Sequence, residues 1–146
     1  MRIRLACSDD AEAINELLTQ LGYPQNDRKT TASRLKAWAD FPAGAAYLVE
    51  TDDAALGVIA VHICPFFEHD GASARITALV VSEQARGRGV GSRLVEAAEA
   101  FAASHGCSRM EVTSNDRRTD AHAFYERCGY TIQTGISSRF LRDLPA

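Results

Sequence analysis

Three glycines at alternate positions, Gly87, Gly89 and Gly91, mark the part of this chain best suited to hold a charged ligand. They lie in residues 76–92, ITALVVSEQARGRGVGS, where an apolar run leads through a tight turn into an amphipathic segment. The first N–H groups of a helix lack intrahelical acceptors, and the helix dipole adds partial positive charge there. Because glycine lets a ligand approach the backbone closely, the turn predicts an anion site built from main-chain donors.

Two common nucleotide-binding signatures do not fit this turn. A dinucleotide fingerprint needs G-x-G-x-x-G and an acidic residue further on, whereas glycine recurs here at every second position. A Walker A loop needs Lys-Ser or Lys-Thr to reach the terminal phosphates and magnesium, and neither pair follows. A pyrophosphate held without a metal fits the pattern. The alternative without a ligand is a glycine-softened turn with solvated arginines.

Hydrophobic periodicity predicts the elements that position this turn. Strands are predicted for residues 2–6, 45–50, 55–64, 74–82 and 107–114, and for two short segments at 130–134 and 137–142. Helices are predicted for residues 9–21, 32–39, 90–105 and 121–128, each with apolar residues every three or four positions. The second and third strands should pair antiparallel, and the strand at 74–82 should be buried on both faces. The order predicts one mixed α/β layer.

Length, charge and cysteine spacing restrict the class of protein. At 146 residues and 15.8 kDa the chain is expected to form a single domain, 1–146. The net charge of -3 without a basic stripe argues against nucleic acid, and no apolar run reaches the roughly 20 residues of a membrane span. Asp9 and Asp10 interrupt the region where a signal peptide is apolar, so a cytoplasmic protein is expected. The four cysteines, without any C-x-x-C pair, predict buried thiols and no metal site.

The glycine turn and the strand before it resemble the acetyl-CoA signature, R/Q-x-x-G-x-G/A, of the GNAT N-acetyltransferase superfamily. The residues that carry it are Leu79-Val80-Val81 and Arg86-Gly87-Arg88-Gly89-Val90-Gly91. A later segment, AHAFYERCGY at residues 121–130, is similar to the family's closing helix and strand. The resemblance extends over nearly the whole chain, with two motifs in the correct order. One departure is Glu83, which stands where many members have proline.

The resemblance implies a fold and a cofactor site. The fold is a mostly antiparallel twisted sheet, flanked by about four helices, with a splayed parallel strand pair into which acetyl-CoA inserts. Main-chain groups would bind the pantetheine arm and the pyrophosphate. Arg86 or Arg88 adds charge, and Arg117 or Arg118 meets the 3′-phosphate. The cofactor-binding residues that it implies are Leu79, Val80, Val81, Arg86, Gly87, Arg88, Gly89, Val90, Gly91, Ser92 and Asn115.

Acetyl transfer to an amine requires a neutral amine, a stabilised oxyanion and a proton for the departing thiolate. A backbone N–H near Val80 or Val81 is the natural oxyanion donor. By resemblance Tyr125 protonates the coenzyme A thiolate, although its position on an apolar stripe also suits a core ring. Glu111 is the first choice for the general base, with a structural or substrate-facing carboxylate as the alternative. No cysteine has a neighbouring base in sequence, which disfavours an acetyl-cysteine intermediate.

The sequence therefore predicts an enzyme that moves the acetyl group of acetyl-CoA directly to a primary amine of an unidentified acceptor, without a metal. A non-catalytic acyl-CoA-binding sensor or partner module is the alternative. Acceptor specificity is expected from the early helices and from the loops at residues 23–31 and 65–71. The carboxylates Asp27, Glu68 and Asp70 in those loops favour a cationic acceptor. Unpaired edge strands near the C-terminus make a homodimer possible.

Overall fold

A single mixed sheet organises the computed structural model, which describes residues 1–24 and 27–145. Its strands, in spatial as well as sequence order, are β1 (Arg2–Leu5), β2 (Gly44–Glu50), β3 (Ala55–Pro65), β4 (Ala72–Val81) and β5 (Cys107–Val112). All neighbours pair antiparallel except β4 and β5, which are parallel. The helices are α1 (Ala11–Leu21), α2 (Arg28–Asp40), α3 (Val90–Ser104) and α4 (Thr119–Arg127). The predicted mixed α/β fold with one parallel pair is confirmed.

The chain divides into two compact units. The first, Met1–Thr113, contains the whole sheet and α1 to α3, and the second begins at Ser114 and contains α4. The loop at residues 23–31, predicted to contribute to acceptor specificity, includes positions 25 and 26, which lie outside the described residues. No helix of the described chain has the length and apolarity to cross a membrane.

Strict alternation along the strands gives the sheet of the first unit two different faces. Leu48, Val58 and Val80 share one face, where they join one apolar cluster with residues of α1 and α2. The members contributed by these two helices are Ala11, Ile14, Leu17 and Leu35. Helix α3 packs on the sheet through its buried stripe, which comprises Val90, Leu94, Val95, Ala98 and Ala102. Because the helices pack on the sheet, the turns that join them to the strands lie at the edge of the sheet.

Gly57 of β3 sets how closely the first turn of α3 approaches the sheet. A Cβ atom at this position would lie 2.9 Å from the carbonyl oxygen of Val80 and 3.0 Å from side-chain carbons of Leu94 and Val90. Those distances are shorter than carbon atoms tolerate in a packed interior. The glycine therefore brings the N-terminus of α3 directly beside the end of β4, where the glycine turn lies.

Two sequence expectations about strands are wrong. Strand β4 is not buried on both faces, because Ala72, Ala74 and Ile76 are buried while Ser73 and Arg75 are half-buried and Thr77 is exposed. The predicted strands at residues 130–134 and 137–142 are not formed, and residues 130–145 contain turns and irregular chain. Within the second unit these segments have no ladder partner, and an isolated pair of short strands is marginally stable.

The cysteine prediction is also wrong. Cys7 and Cys64 are exposed, and Cys107 and Cys128 are half-buried, with none of them in a disulfide. Cys64 lies near the end of β3, and Cys107 is the first residue of β5, so both lie at strand ends. The absence of a C-x-x-C pair and the usual burial of free cysteine suggested a core location that the strand ends do not provide.

Arg4 of β1 clamps the turn before α1 to strand β2, and acid should loosen this clamp. Its guanidinium donates to both Asp10 carboxylate oxygens at 2.9 and 2.8 Å and to Glu50 at 3.0 and 3.1 Å. Hydrogen bonding from Arg4 lowers the pKa of both carboxyl groups. A carboxyl group whose pKa is lower in the folded state contributes its full stabilisation at any pH above its ordinary pKa of about 4. This contribution is lost as the pH falls through the lowered pKa.

We therefore expect Arg4→Gln to be less stable than the parent protein at pH 7 and to lose less stability between pH 5 and pH 2. Urea unfolding midpoints across that range measure both effects. Lys36→Gln is a matched control, because it removes a cation from an ion pair with Asp40 that is exposed on both sides. Parallel pH curves for the parent protein and Arg4→Gln would contradict the expectation.

Candidate active site

Strands β4 and β5 run together for only half the length of β4. Their register begins at Ala72 and Cys107 and ends at Ile76 and Val112, so residues 77–81 of β4 have no partner on that side. At the same point the β3 register skips Thr77, since Ala60 pairs with Ala78 and Val61 with Ile76. A β-bulge bends the strand that carries it. We call residues 77–81 the open edge of β4.

The alternating hydrogen bonds between β3 and β4 determine which main-chain groups of β4 point outward at the open edge. Ser82 N–H donates to the Leu56 carbonyl at 2.8 Å, so this pair belongs to the β3–β4 ladder. In an antiparallel ladder every second residue turns its N–H and C=O toward the partner strand. Val80 therefore faces β3, and Leu79 and Val81 present their N–H and C=O to the open edge. Of the three residues predicted to bind the cofactor arm, Leu79 and Val81 therefore face the open edge, and Val80 faces β3.

The glycine turn continues from this edge into α3 with its donors uncapped. Gly87 and Gly89 have φ of +79° and +80°, a conformation that strains any residue with a side chain. Gly89 is the N-cap of α3, no side chain accepts from the first turn, and no acidic residue lies in it. The Arg93 N–H donates to the Gly89 carbonyl at 3.1 Å, as the first intrahelical bond of an α-helix does. The N–H groups of residues 89–92 thus have no helical acceptor.

Exposed side chains surround these donors. Arg86, Arg88 and Ser92 are exposed, whereas Ala85 and Val90 are buried and anchor the two ends of the turn. Two cationic side chains next to uncapped N–H groups favour an anion electrostatically. The open edge and the turn are consecutive in the chain, so an elongated ligand with an anionic end can contact both.

Tyr125 lies in the second unit, on α4. Its ring packs against Phe124 at a centroid distance of 5.3 Å and against Tyr130 at 6.0 Å. Burial raises the pKa of the Tyr125 phenol, with a smaller opposing effect from the Arg118 charge. The phenol therefore keeps its proton at neutral pH and can donate it.

Asn115 forms the turn that leads into α4. Its side-chain oxygen accepts a hydrogen bond from Arg117 N–H at 2.9 Å, and its carbonyl accepts from Arg118 N–H at 3.0 Å. His122 Nε2 also lies 3.0 Å from that carbonyl. The side-chain oxygen of Asn115 is thus engaged in an Asx turn, and its amide NH₂ group is the part suited to contact a ligand.

Glu111 is exposed on β5 and forms an ion pair that was not predicted from the sequence. Its Oε1 accepts from the Arg75 guanidinium of β4 at 2.8 Å, and Arg75 also donates to Thr113 Oγ1 at 2.5 Å. Arg75 pairs with His62 on its other side, so three polar side chains lie in one row across β3, β4 and β5. We call His62, Arg75 and Glu111 the charged row.

A second polar row runs beside the charged row on the same face of the sheet. Cys64 pairs with Ser73, and Ser73 pairs with Arg109. The Arg109 guanidinium carbon lies 5.4 Å from the centroid of the Phe66 ring. Sequence reasoning missed Arg75 and Arg109. The signal that could have found them is the period-two pattern of polar residues at 73, 75 and 77 of β4 and at 109 and 111 of β5.

The described residues contain no group of three or more His, Cys, Asp or Glu side chains arranged to hold a metal. What the first unit does present is an elongated edge of main-chain donors and acceptors, a glycine turn with uncapped N–H donors at one end, and a charged row where the two parallel strands part. Such an arrangement can align a long phosphorylated thioester and bring its reactive end toward polar side chains.

Comparison with known proteins identifies relatives along most of the chain. A model of the "Acetyltransferase (GNAT) family" matches residues 11–130. Aminoalkylphosphonate N-acetyltransferase of Salmonella typhimurium is 29% identical over 128 residues, which cover 88% of this chain and 83% of that protein. The structure of a GNAT family acetyltransferase of Staphylococcus aureus has a TM-score of 0.78 at 25% identity and covers 98% of each chain. Glucosamine-6-phosphate N-acetyltransferase of Arabidopsis thaliana has the same fold, with a TM-score of 0.81 at 21% identity over 97% of this chain and 98% of that one.

Proposed function

Because this chain belongs to the GNAT acetyltransferase family, we propose that it transfers the acetyl group of acetyl-CoA directly to a primary amine. The observation that carries the proposal is the open edge of β4, which leads through the short turn at residues 82–89 into the uncapped N-terminus of α3. The family and the named N-acetyltransferase relative support the same class of reaction.

In this proposal the cofactor lies along the open edge as an additional strand. Leu79 and Val81 exchange main-chain hydrogen bonds with the amides of the pantetheine arm, and the N–H groups of residues 89–92 hold the pyrophosphate. Arg86 and Arg88 add positive charge, and the Asn115 amide contacts the arm. The glycines at 87, 89 and 91 serve the backbone conformation and the close approach of phosphate. No metal is needed, since main-chain donors and arginines neutralise the pyrophosphate.

The chemical step is the attack of a neutral amine on the thioester carbonyl. Negative charge develops on the carbonyl oxygen, and a fixed N–H aimed at that oxygen stabilises it. Leu79 is the better oxyanion donor of the two residues that face the open edge, because Val81 is nearer the pyrophosphate turn and Leu79 nearer the point where the strands part. Collapse of the tetrahedral intermediate breaks the C–S bond and releases the coenzyme A thiolate.

Glu111 is the proposed general base. An amine with a lysine-like pKa of about 10.4 arrives as an ammonium ion, so a carboxylate must accept its proton, directly or through water. Glu111 lies on the rung before the last β4–β5 pair, next to the point where the thioester is expected. Its Arg75 partner keeps the carboxylate in place until the ammonium group takes over as its counter-ion.

Tyr125 is the proposed acid, and its hydroxyl can be tested alone. Tyr125→Phe should lower kcat about tenfold and leave the Kd for acetyl-CoA unchanged. The effect lies below the roughly 100-fold minimum usual for an acid catalyst because a thiolate with a pKa near 8.5 leaves readily. Steady-state rates and calorimetry measure the two quantities. Tyr130→Phe removes a neighbouring hydroxyl as the control, and equal losses in both variants would assign no specific role to Tyr125.

Release of free coenzyme A across a panel of primary amines tests the proposed function. Aminoalkylphosphonates head the panel, because the Salmonella typhimurium relative is named for them. Amine-dependent release together with acetyl-CoA binding by calorimetry is the expected result. Tight acetyl-CoA binding without turnover on any amine would instead identify a sensor or partner module, and no binding at all would contradict both functions.

A further inference from the structure

The charged row lies where an acceptor must reach the thioester, and its composition selects a class of acceptor. We propose that Arg75 binds an anionic group of the acceptor, so that the preferred substrate is an amine that also carries a carboxylate, phosphonate or phosphate. This inference rests on the proposed acetyl transfer and adds the part of the acceptor that lies away from its amine.

Position is the first argument. Arg75 pairs with Glu111 on the rung before Ile76 and Val112, which is the last rung that β4 and β5 share. Beyond it the strands part, and Thr113, whose hydroxyl also accepts from Arg75, follows directly. The Arg75 guanidinium therefore lies at the closed end of the gap between β4 and β5. A cofactor held by its pyrophosphate at the far end of the open edge directs its thioester toward this end.

The second argument is that the Arg75–Glu111 ion pair can be exchanged at little cost. The Arg75 side chain is 34% exposed and the Glu111 side chain 51%, so water already screens their charges. Ion pairs exposed to this degree contribute little to stability. An amine with an anionic group offers an opposite charge to each partner, with its ammonium group on Glu111 and its anionic group on Arg75. No charge is left unpaired in this exchange, whereas a simple amine would leave Arg75 without its counter-ion.

Arg109 adds a second cation to the same face. It lies one row away from Arg75, and Phe66 supports its guanidinium at 5.4 Å. Among the ion pairs found in residues 1–24 and 27–145, Arg75 and Glu111 form one and Arg109 forms none. Two guanidinium groups thus face one carboxylate on this part of the sheet. A guanidinium also matches the planar or tetrahedral oxygens of acidic groups with paired N–H donors.

The experiment compares three amines of similar length, 2-aminoethylphosphonate, β-alanine and n-propylamine, by acetyl-CoA-dependent release of coenzyme A. We expect kcat/KM for at least one anionic amine to exceed that for n-propylamine at least 100-fold, and the two anionic amines tell a phosphorus acid from a carboxylate. Arg75→Gln should lower kcat/KM for the anionic amine, mainly through KM, by a factor at least 30 times larger than the loss for n-propylamine, which measures what Arg75 contributes by holding Glu111 in place. Arg75→Lys should restore part of the loss, because it keeps the charge without the paired donors.

Arg2→Gln is the matched control, since it removes an exposed arginine paired with Asp52 at 2.7 Å on the first strand. Equal kcat/KM values for n-propylamine and the anionic amines in the parent protein would overturn the inference, as would equal losses for all amines in Arg75→Gln. Neither result would contradict acetyl transfer itself. If acetyl-CoA binds but no amine reacts, calorimetry of the two anionic amines in the presence of coenzyme A decides, and no binding at millimolar concentration overturns it. Failure of acetyl-CoA itself to bind would instead reject the proposed function.

Discussion

Ser92→Asp should weaken acetyl-CoA binding by roughly 10- to 100-fold without unfolding the protein. Ser92 occupies the third position of α3, where a carboxylate can accept from the uncapped N–H groups and where the helix dipole favours negative charge. Two like charges about 4 Å apart repel each other by about 1 kcal/mol in water and about 4 kcal/mol near a protein surface. The aspartate therefore competes with the pyrophosphate for the same donors and repels it.

The opposite signs of the two effects make this variant informative. Calorimetry should give a higher Kd for acetyl-CoA, while thermal unfolding should give an unchanged or higher Tm. Ser92→Asn is the control, because asparagine has nearly the same shape as aspartate and no charge. A Kd for Ser92→Asp within twofold of that for Ser92→Asn would show that the pyrophosphate is not held at this helix terminus.

Replacing the amide of Leu79 by an ester should lower kcat by 10²- to 10³-fold. Incorporation of the α-hydroxy analogue of leucine replaces one N–H by oxygen and leaves the side chain intact. Loss of a single oxyanion donor costs about 2.7–4 kcal/mol in enzymes that stabilise tetrahedral intermediates. The Leu79 N–H faces the open edge, so its removal takes no N–H donor from the β3–β4 ladder.

The same replacement at Val80 provides the control. Its N–H belongs to the ladder with β3, so the ester there should reduce Tm and leave kcat within a few-fold of the parent value. If the Val80 ester abolished turnover and the Leu79 ester did not, the assignment of the two residues to opposite edges of β4 would be incorrect. Single-turnover rates at saturating acetyl-CoA separate the chemical step from binding.

The elements near the glycine turn could be predicted closely from sequence. Strand β4 was predicted from its apolar run and helix α3 from its period of 3.6 residues, and Gly89 lies where the helix begins. The register of β4 could not be predicted, because the bulge at Thr77 depends on pairing with β3, which is distant in sequence. For that reason the sequence named three residues for the cofactor arm, whereas the ladder with β3 leaves only Leu79 and Val81 facing the open edge.

Local sequence patterns could not predict which side chains pair across neighbouring strands. Glu111 was identified as a candidate base from its strand, but Arg75, which pairs with it, lies 36 residues earlier in the chain. The apolar and aromatic residues after Gly129 predicted two strands that do not form. Their β-propensity takes effect only where neighbouring strands pack against them, and local sequence does not reveal those neighbours. Tyr125 is different, because the ring contacts of its own helix and the following turn, Phe124 and Tyr130, are local.

Amide chemical shifts followed by nuclear magnetic resonance during titration with acetyl-CoA test the binding site most directly. Bound pyrophosphate should shift the amide signals of residues 87–92 most, because their N–H groups gain new acceptors. The signals of Leu79 and Val81 should follow, and that of Val80 should change little, because its N–H keeps its acceptor on β3. Saturable changes confined to other parts of the chain, or no change at millimolar acetyl-CoA, would contradict the account.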